Sequence, residues 1–144
     1  MNDALEVLLV EDSEADAVMV EETLLESKLK MNLTIVPDGV EAMRLLRQQD
    51  QYRKHRLPDL IILDLNLPRK DGREVLAEVK EDPVLKKIPV VVLTTSSADE
   101  DILRSYELHA NCYITKPLDF DQFAKIVASI ESFWFTIVRL PSTD

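Results

Sequence analysis

A chain of 144 residues, 46% hydrophobic and 31% charged, has the size and composition of one globular domain able to bury its own core. Its net charge of −10 argues against non-specific nucleic-acid binding, and its two glycines exclude the Gly-rich phosphate loops of P-loop and dinucleotide-binding proteins. No run approaches the roughly 18 apolar residues that cross a bilayer. The Asn2-Asp3 start lacks the basic opening of a secretion signal, and the single Cys112 excludes an internal disulfide and fits a reducing cytosol.

Leu5 to Val10 reads as a first strand, broken only by Glu6, and runs directly into Glu11-Asp12-Ser13. Ser13 and Asp16 have capping-box spacing ahead of a helix over about 15–29, whose inward face is expected to carry Ala15, Val18, Met19, Leu25 and Leu29. Leu33 to Val36 is a brief second strand, ended by the turn chemistry of Pro37-Asp38-Gly39. Asp38 and Glu41 repeat the capping spacing before a helix that runs to about Gln49. Residues 48–56 are polar and without period, a connection made locally basic by Arg53, Lys54 and Arg56 and read as a solvated loop rather than a docking surface.

Leu60 to Leu63 is a short uncharged run, the pattern of a strand buried on both faces, and it ends in Asp64 before Pro68 stops regular pairing. A helix over about 73–80 buries Val75, Leu76 and Val79 and stops at Asp82-Pro83. Residues 88–93 form another uncharged, β-branched strand, terminating in Thr94-Thr95-Ser96-Ser97. A helix over about 98–108 follows, then a last short strand over 111–115 that ends at Lys116-Pro117. A final helix begins at Asp119 or Asp121 and faces Phe123, Ile126, Val127 and Ile130 inward. Five strand-helix repeats imply an α/β fold, a five-stranded doubly wound parallel sheet with helices on both faces.

In such a sheet the strand ends share one carboxyl edge, where open α/β folds place their sites. Glu11 and Asp12, Asp64, Thr94 and Lys116 therefore converge although they are distant in sequence. An isolated Asp64 is no more than a strand or turn cap; its companions make a chemistry. Three carboxylates repel one another, and a hard divalent cation such as Mg2+ holds them together. A metal-bound carboxylate is positioned to attack phosphorus, with Lys116 and Thr94 placed to meet the phosphoryl oxygens. His55 and His109 have no visible partner, and Cys112 reads as a small buried hydrophobe.

These residues resemble the receiver domains of bacterial two-component response regulators, which have a flavodoxin-like fold. Glu11-Asp12, Asp64, Thr94, Lys116-Pro117 and the Leu-Pro-x-x-Asp-Gly stretch at 67–72 match that family in order and strand context, with the 48–57 connection lengthening the first gap. The likeness covers about residues 5–131. It implies that Asp64 accepts phosphate from a histidine-kinase phosphohistidine. It also implies that Glu11, Asp12, Asp64 and the Asn66 backbone carbonyl hold Mg2+, that Lys116 pairs with the phosphoryl group, and that Thr94 and Tyr113 form the switch. Ser96 and the Asn66 side chain fall where the family tunes phosphate lifetime. The Leu65-Asn66-Leu67-Pro68 and Leu93-Thr94-Thr95-Ser96-Ser97 stretches and Phe133-Trp134-Phe135 are similar to the small regulators paired with cyanobacterial phytochromes, which lack an output domain.

The implied protein is a cytoplasmic phosphoacceptor whose partner is a phytochrome-type histidine kinase, with no nucleic-acid or membrane partner and no catalysis beyond self-phosphorylation and dephosphorylation. The expected layout is a receiver domain over 1–131 and an apolar extension over 132–144. There Phe133, Trp134, Phe135, Ile137 and Val138 form a homodimer interface rather than folding back. A haloacid-dehalogenase-type phosphatase would want a second Asp two residues after the nucleophile, where this chain has Asn66. A phosphate-independent interaction module is the third reading.

Overall fold

The computed structural model describes residues 4–26, 30–94 and 112–115, together with 121, 124, 125, 128 and 129. Five strands, β1 (Leu5–Val10), β2 (Met31–Val36), β3 (Leu60–Asp64), β4 (Val90–Thr94) and β5 (Cys112–Thr115), form one sheet in the order β2-β1-β3-β4-β5. Every pairing is parallel, as the alternation of strands and helices requires.

Uncharged, β-branched and leucine-rich runs suit this sheet because successive side chains enter different helix layers. Leu5, Val7 and Leu9 of β1, with Ile62 and Leu93, pack on Ala17, Val20 and Leu24 of α1 (Glu14–Leu25). Leu8 and Val10, with Ile61, Leu63 and Val92, pack on α2 (Gly39–Leu46) and α3 (Gly72–Glu81) across the other face. The buried face of α3 is Val75, Leu76 and Val79, as its spacing predicts. Ser13 and Asp38 cap α1 and α2 by accepting the backbone N–H of Asp16 and Glu41. The Glu41 carboxylate is turned instead to Arg44 and to the Tyr52 hydroxyl, each at 3.0 Å.

The inward face of α1 differs from the expected one. Ala15 is exposed, Val18 is 49% exposed and Leu25 79%, whereas Ala17, Val20, Thr23 and Leu24 are buried. Apolar residues occur on both sides of this helix, so spacing alone does not choose the face; Ala17 and Val20 lie where the helix meets the sheet. α1 ends at Leu25, and Leu29 lies outside the described residues. β2 begins two residues before its expected start, and α2 stops three residues before its expected end, short of a left-handed Gln48 with φ 54°.

The 48–57 connection is not a bare solvated loop. It contains a 3-10 turn at Asp50–Tyr52, and Tyr52 packs against the core. Burial and the neighbouring Glu41 carboxylate push the Tyr52 hydroxyl up. Arg56 pairs with Asp59 at 3.2 Å and with the buried Glu6 at 3.7 Å. His55 also has partners: its Nδ1 donates to the Arg56 carbonyl at 2.7 Å and its Nε2 faces the Thr34 hydroxyl at 3.2 Å. The helix over 98–108 and the inward residues Phe123, Ile126, Val127 and Ile130 lie outside the described residues, while 121, 124, 125, 128 and 129 are helical. No helix among the described residues is long and apolar enough to cross a membrane.

Glu78 on α3 receives Arg47 of α2 at 2.7 Å and the Lys70 ammonium at 2.5 Å. Burial pushes its carboxyl up, but the hydrogen bonds from Lys70 and Arg47 outweigh that and hold it below the usual carboxylate range. A carboxyl depressed by folding stabilises the protein above its unfolded value and loses that contribution as pH falls through the folded one. Glu78→Gln is therefore expected to cost about 0.5–1 kcal/mol at neutral pH, the range of partly exposed ion pairs. Urea unfolding across pH should show the difference from wild type shrinking in acid. A gap that stays constant to the lowest pH contradicts this assignment.

Candidate functional site

Parallel strands all leave the sheet at one edge, and the register carries the two acid-bearing strands there together. β1 and β3 are neighbours with Val10 opposite Leu63, so the residues that follow, Glu11 and Asp64, emerge side by side. Asp64 closes β3 and is 1% exposed, Glu11 is 3% exposed, and Asp12 is open to solvent. One carboxylate oxygen from each of Glu11, Asp12 and Asp64 lies within 4.8 Å of the others.

The backbone just beyond each buried acid orients it. Ser13 N–H donates to Glu11 Oε2 at 3.1 Å, and Asn66 N–H donates to Asp64 Oδ1 at 3.0 Å. Leu65 N–H continues the sheet by donating to the Leu93 carbonyl, and Gly72 N–H returns to the Leu65 carbonyl, both at 3.0 Å. Loop 65–72 thus closes on its own start. A Cβ at Gly72 would overlap the Asp64 carbonyl oxygen and stand 2.5 Å from Leu65 Cα. Glycine is needed there for close approach, which lets α3 begin against the end of β3.

An all-carboxylate, oxygen-only donor set fits a hard divalent cation. The ionised groups repel one another, and a bound cation converts that repulsion into attraction. Glu11, Asp12 and Asp64 are the residues that would hold it, with room on the exposed Asp12 side for the waters that Mg2+ retains.

Of the other expected site residues, Thr94 ends β4 one position beyond Leu93, the register partner of Asp64, and is itself paired with Thr115. Tyr113 stands opposite Val92 in β5. For both, the backbone alone is described. Ser96, Lys116 and the extension residues Phe133, Trp134, Phe135, Ile137 and Val138 lie outside the described residues.

Sequence reasoning missed a tie between loop 65–72 and α2. Arg69 Nη1 donates to Asp38 Oδ2 at 3.2 Å, and Arg69 adopts φ 65°. An arginine with left-handed backbone leaves no mark in the sequence, and Asp38 was legible as a helix cap alone.

The family profile for the response regulator receiver domain matches residues 7–128. Response regulator Rcp1 of Synechocystis sp. is 54% identical over 136 residues, covering 94% of this chain and 92% of the relative. The crystal structure of the phosphorylated cyanobacterial phytochrome response regulator RcpA superposes with a TM-score of 0.81 at 52% identity, covering 96% of this chain and 99% of that one. The Mn2+-bound form of Rcp1 gives a TM-score of 0.80 at 54% identity with the same coverage.

Proposed function

The chain belongs to the response regulator receiver domain family, and on that premise we propose that it carries signals by accepting a phosphoryl group on Asp64. The donor is the phosphohistidine of a sensor histidine kinase. The observation that carries this reading is the meeting of three carboxylates within 4.8 Å around a buried acid at the end of the central strand. A carboxylate oxygen of Asp64 attacks phosphorus, the P–O bond forms as the P–N bond to histidine breaks, and the histidine ring leaves with the electron pair. Asn66 N–H, donating to Asp64 Oδ1, fixes the orientation in which the carboxylate meets the phosphoryl group. The cofactor is Mg2+, which when bound neutralises charge on the transferring phosphoryl oxygens.

Glu11, Asp12, Asp64 and the Asn66 carbonyl would hold that cation. Lys116, which follows β5 directly, pairs with the phosphoryl group. Thr94 and Tyr113 carry the change to the output face. The kinase is of the phytochrome type, a reading supported by the likeness to RcpA, itself described as a phytochrome response regulator. Residues 1–131 are the receiver, and Phe133, Trp134, Phe135, Ile137 and Val138 in the 132–144 extension join two copies. The protein works in the cytoplasm and turns over its own phosphate alone.

Incubation with acetyl phosphate and Mg2+ tests the reading. Intact-mass spectrometry should show one added phosphoryl group, removed when the cation is chelated before the donor is added. Light scattering of the same samples should give the mass of two chains. Unmodified protein under all conditions contradicts the phosphoacceptor assignment, and a single-chain mass contradicts the dimer.

A further inference from the structure

The loop that follows Asp64 is held from outside by charges that phosphotransfer chemistry leaves without a role. We propose that Arg69, acting through Asp38, is a positioning residue for the cation and phosphoryl site, pinning loop 65–72 where Asn66 can serve Asp64. The inference rests on the phosphoacceptor reading of Asp64.

Four observations converge on it. Arg69 holds φ 65°, a conformation disfavoured for any residue with a Cβ, which persists where the surroundings over-determine it. Its guanidinium, although the side chain is 53% exposed, reaches the nearly buried carboxylate of Asp38. Asp38 cannot follow a moving loop, because its other oxygen accepts Glu41 N–H at 2.9 Å at the start of α2. Beside it the Lys70 carbonyl packs so tightly on Gly39 that a Cβ there would overlap it, and the Lys70 ammonium is bound by Glu78 of α3.

Only Leu67 and Pro68 separate Arg69 from Asn66. Leu67 packs against the core and Pro68 has a fixed φ, so a displacement at Arg69 is passed on rather than absorbed. Releasing the clamp lets Asn66 drift from Asp64, and the oriented carboxylate and the neighbouring carbonyl are lost together. Because the pair is a single Nη1–Oδ2 contact, a lysine ammonium can replace much of it.

At Arg69 the sign of the effect separates this role from simple electrostatics, whereas loss of the Asp38 charge weakens cation binding on either account. Removing a cationic side chain near an acidic site should strengthen cation binding by Coulomb attraction alone. Positioning predicts the reverse. Arg69→Asn, which tolerates left-handed backbone, and Asp38→Asn, which keeps the helix cap, should each weaken Mn2+ binding about ten-fold by calorimetry, the low end of losses seen when groups supporting metal ligands are removed. Phosphorylation by acetyl phosphate should slow in parallel, and the double variant should be no worse than either single one. Arg69→Lys should recover most of the affinity.

Unchanged or tighter Mn2+ binding by Arg69→Asn overturns the proposal, as does a lowered urea midpoint with unchanged affinity, the mark of a merely structural tie. Equal losses in Arg69→Lys and Arg69→Asn also overturn it. Failure of the wild type itself to bind Mn2+ and take phosphate instead overturns the phosphoacceptor reading beneath it.

Discussion

Asp64→Asn is expected to abolish phosphate incorporation and at the same time raise the stability of the metal-free protein. Asparagine has the shape of aspartate, and its carboxamide oxygen can still accept Asn66 N–H, so the end of β3 keeps its geometry. What disappears is one of three charges crowded within 4.8 Å, two of them almost fully buried. Relief of that repulsion should be worth about 1 kcal/mol, well below the unscreened Coulomb value because Asp12 opens the cluster to water.

Magnesium should reverse the order. At a hundred-fold excess over its dissociation constant it stabilises the wild type by about 2.7 kcal/mol, and a site with one carboxylate fewer gains less. Urea unfolding with and without Mg2+, beside acetyl-phosphate labelling, reads all three effects. A variant that takes phosphate, or that is less stable than wild type without the cation, contradicts this account of the site. Such a gain in stability on loss of function is the signature of groups held together for chemistry.

Gly72→Ala should be the most damaging single-methyl change in the same loop. At the first turn of a helix this substitution ordinarily stabilises, because alanine has less freedom to lose on folding. Here the added carbon meets the Asp64 carbonyl oxygen and Leu65 Cα, which are backbone atoms of a buried strand end and cannot rotate away. Either α3 shifts off the sheet, opening Val75 and Leu76, or loop 65–72 deforms. The expected cost is about 2–3 kcal/mol by urea unfolding, the upper part of the usual range for overpacking. Phosphorylation should slow as well, since the deformed loop carries Asn66. A variant as stable as wild type shows that the loop can yield without strain.

The parallel sheet and the acid cluster were legible in the sequence for a shared reason. Leu60 to Leu63 and Val90 to Leu93 are uncharged runs of strand length, and in a parallel sheet the residue after such a run has only one edge to occupy. The burial of Val75, Leu76 and Val79 was legible because they are the only large apolar residues of α3. The face of α1 was not, because Val18 and Leu25 are as apolar as Val20 and Leu24 and only packing on the sheet distinguishes them. Nor were the partners of His55, or the Arg69–Asp38 tie, since both join residues whose nearness depends on how separate loops fold over α2 and β2. Backbone strain at Arg69 is likewise a property of the folded loop and not of the residue type.

The connection between α2 and β3 enters the sheet at the end opposite Asp64, and its stitching gives it an engineering use. Tyr52 ties it to Glu41, and Arg56 ties it to Glu6, yet between them Arg53 and Lys54 are exposed. A fluorophore attached at either position would ride on an anchored segment a full strand length from the acids. It could therefore report partner docking, or serve as the fusion point of a biosensor, while leaving the chemistry at the far edge undisturbed.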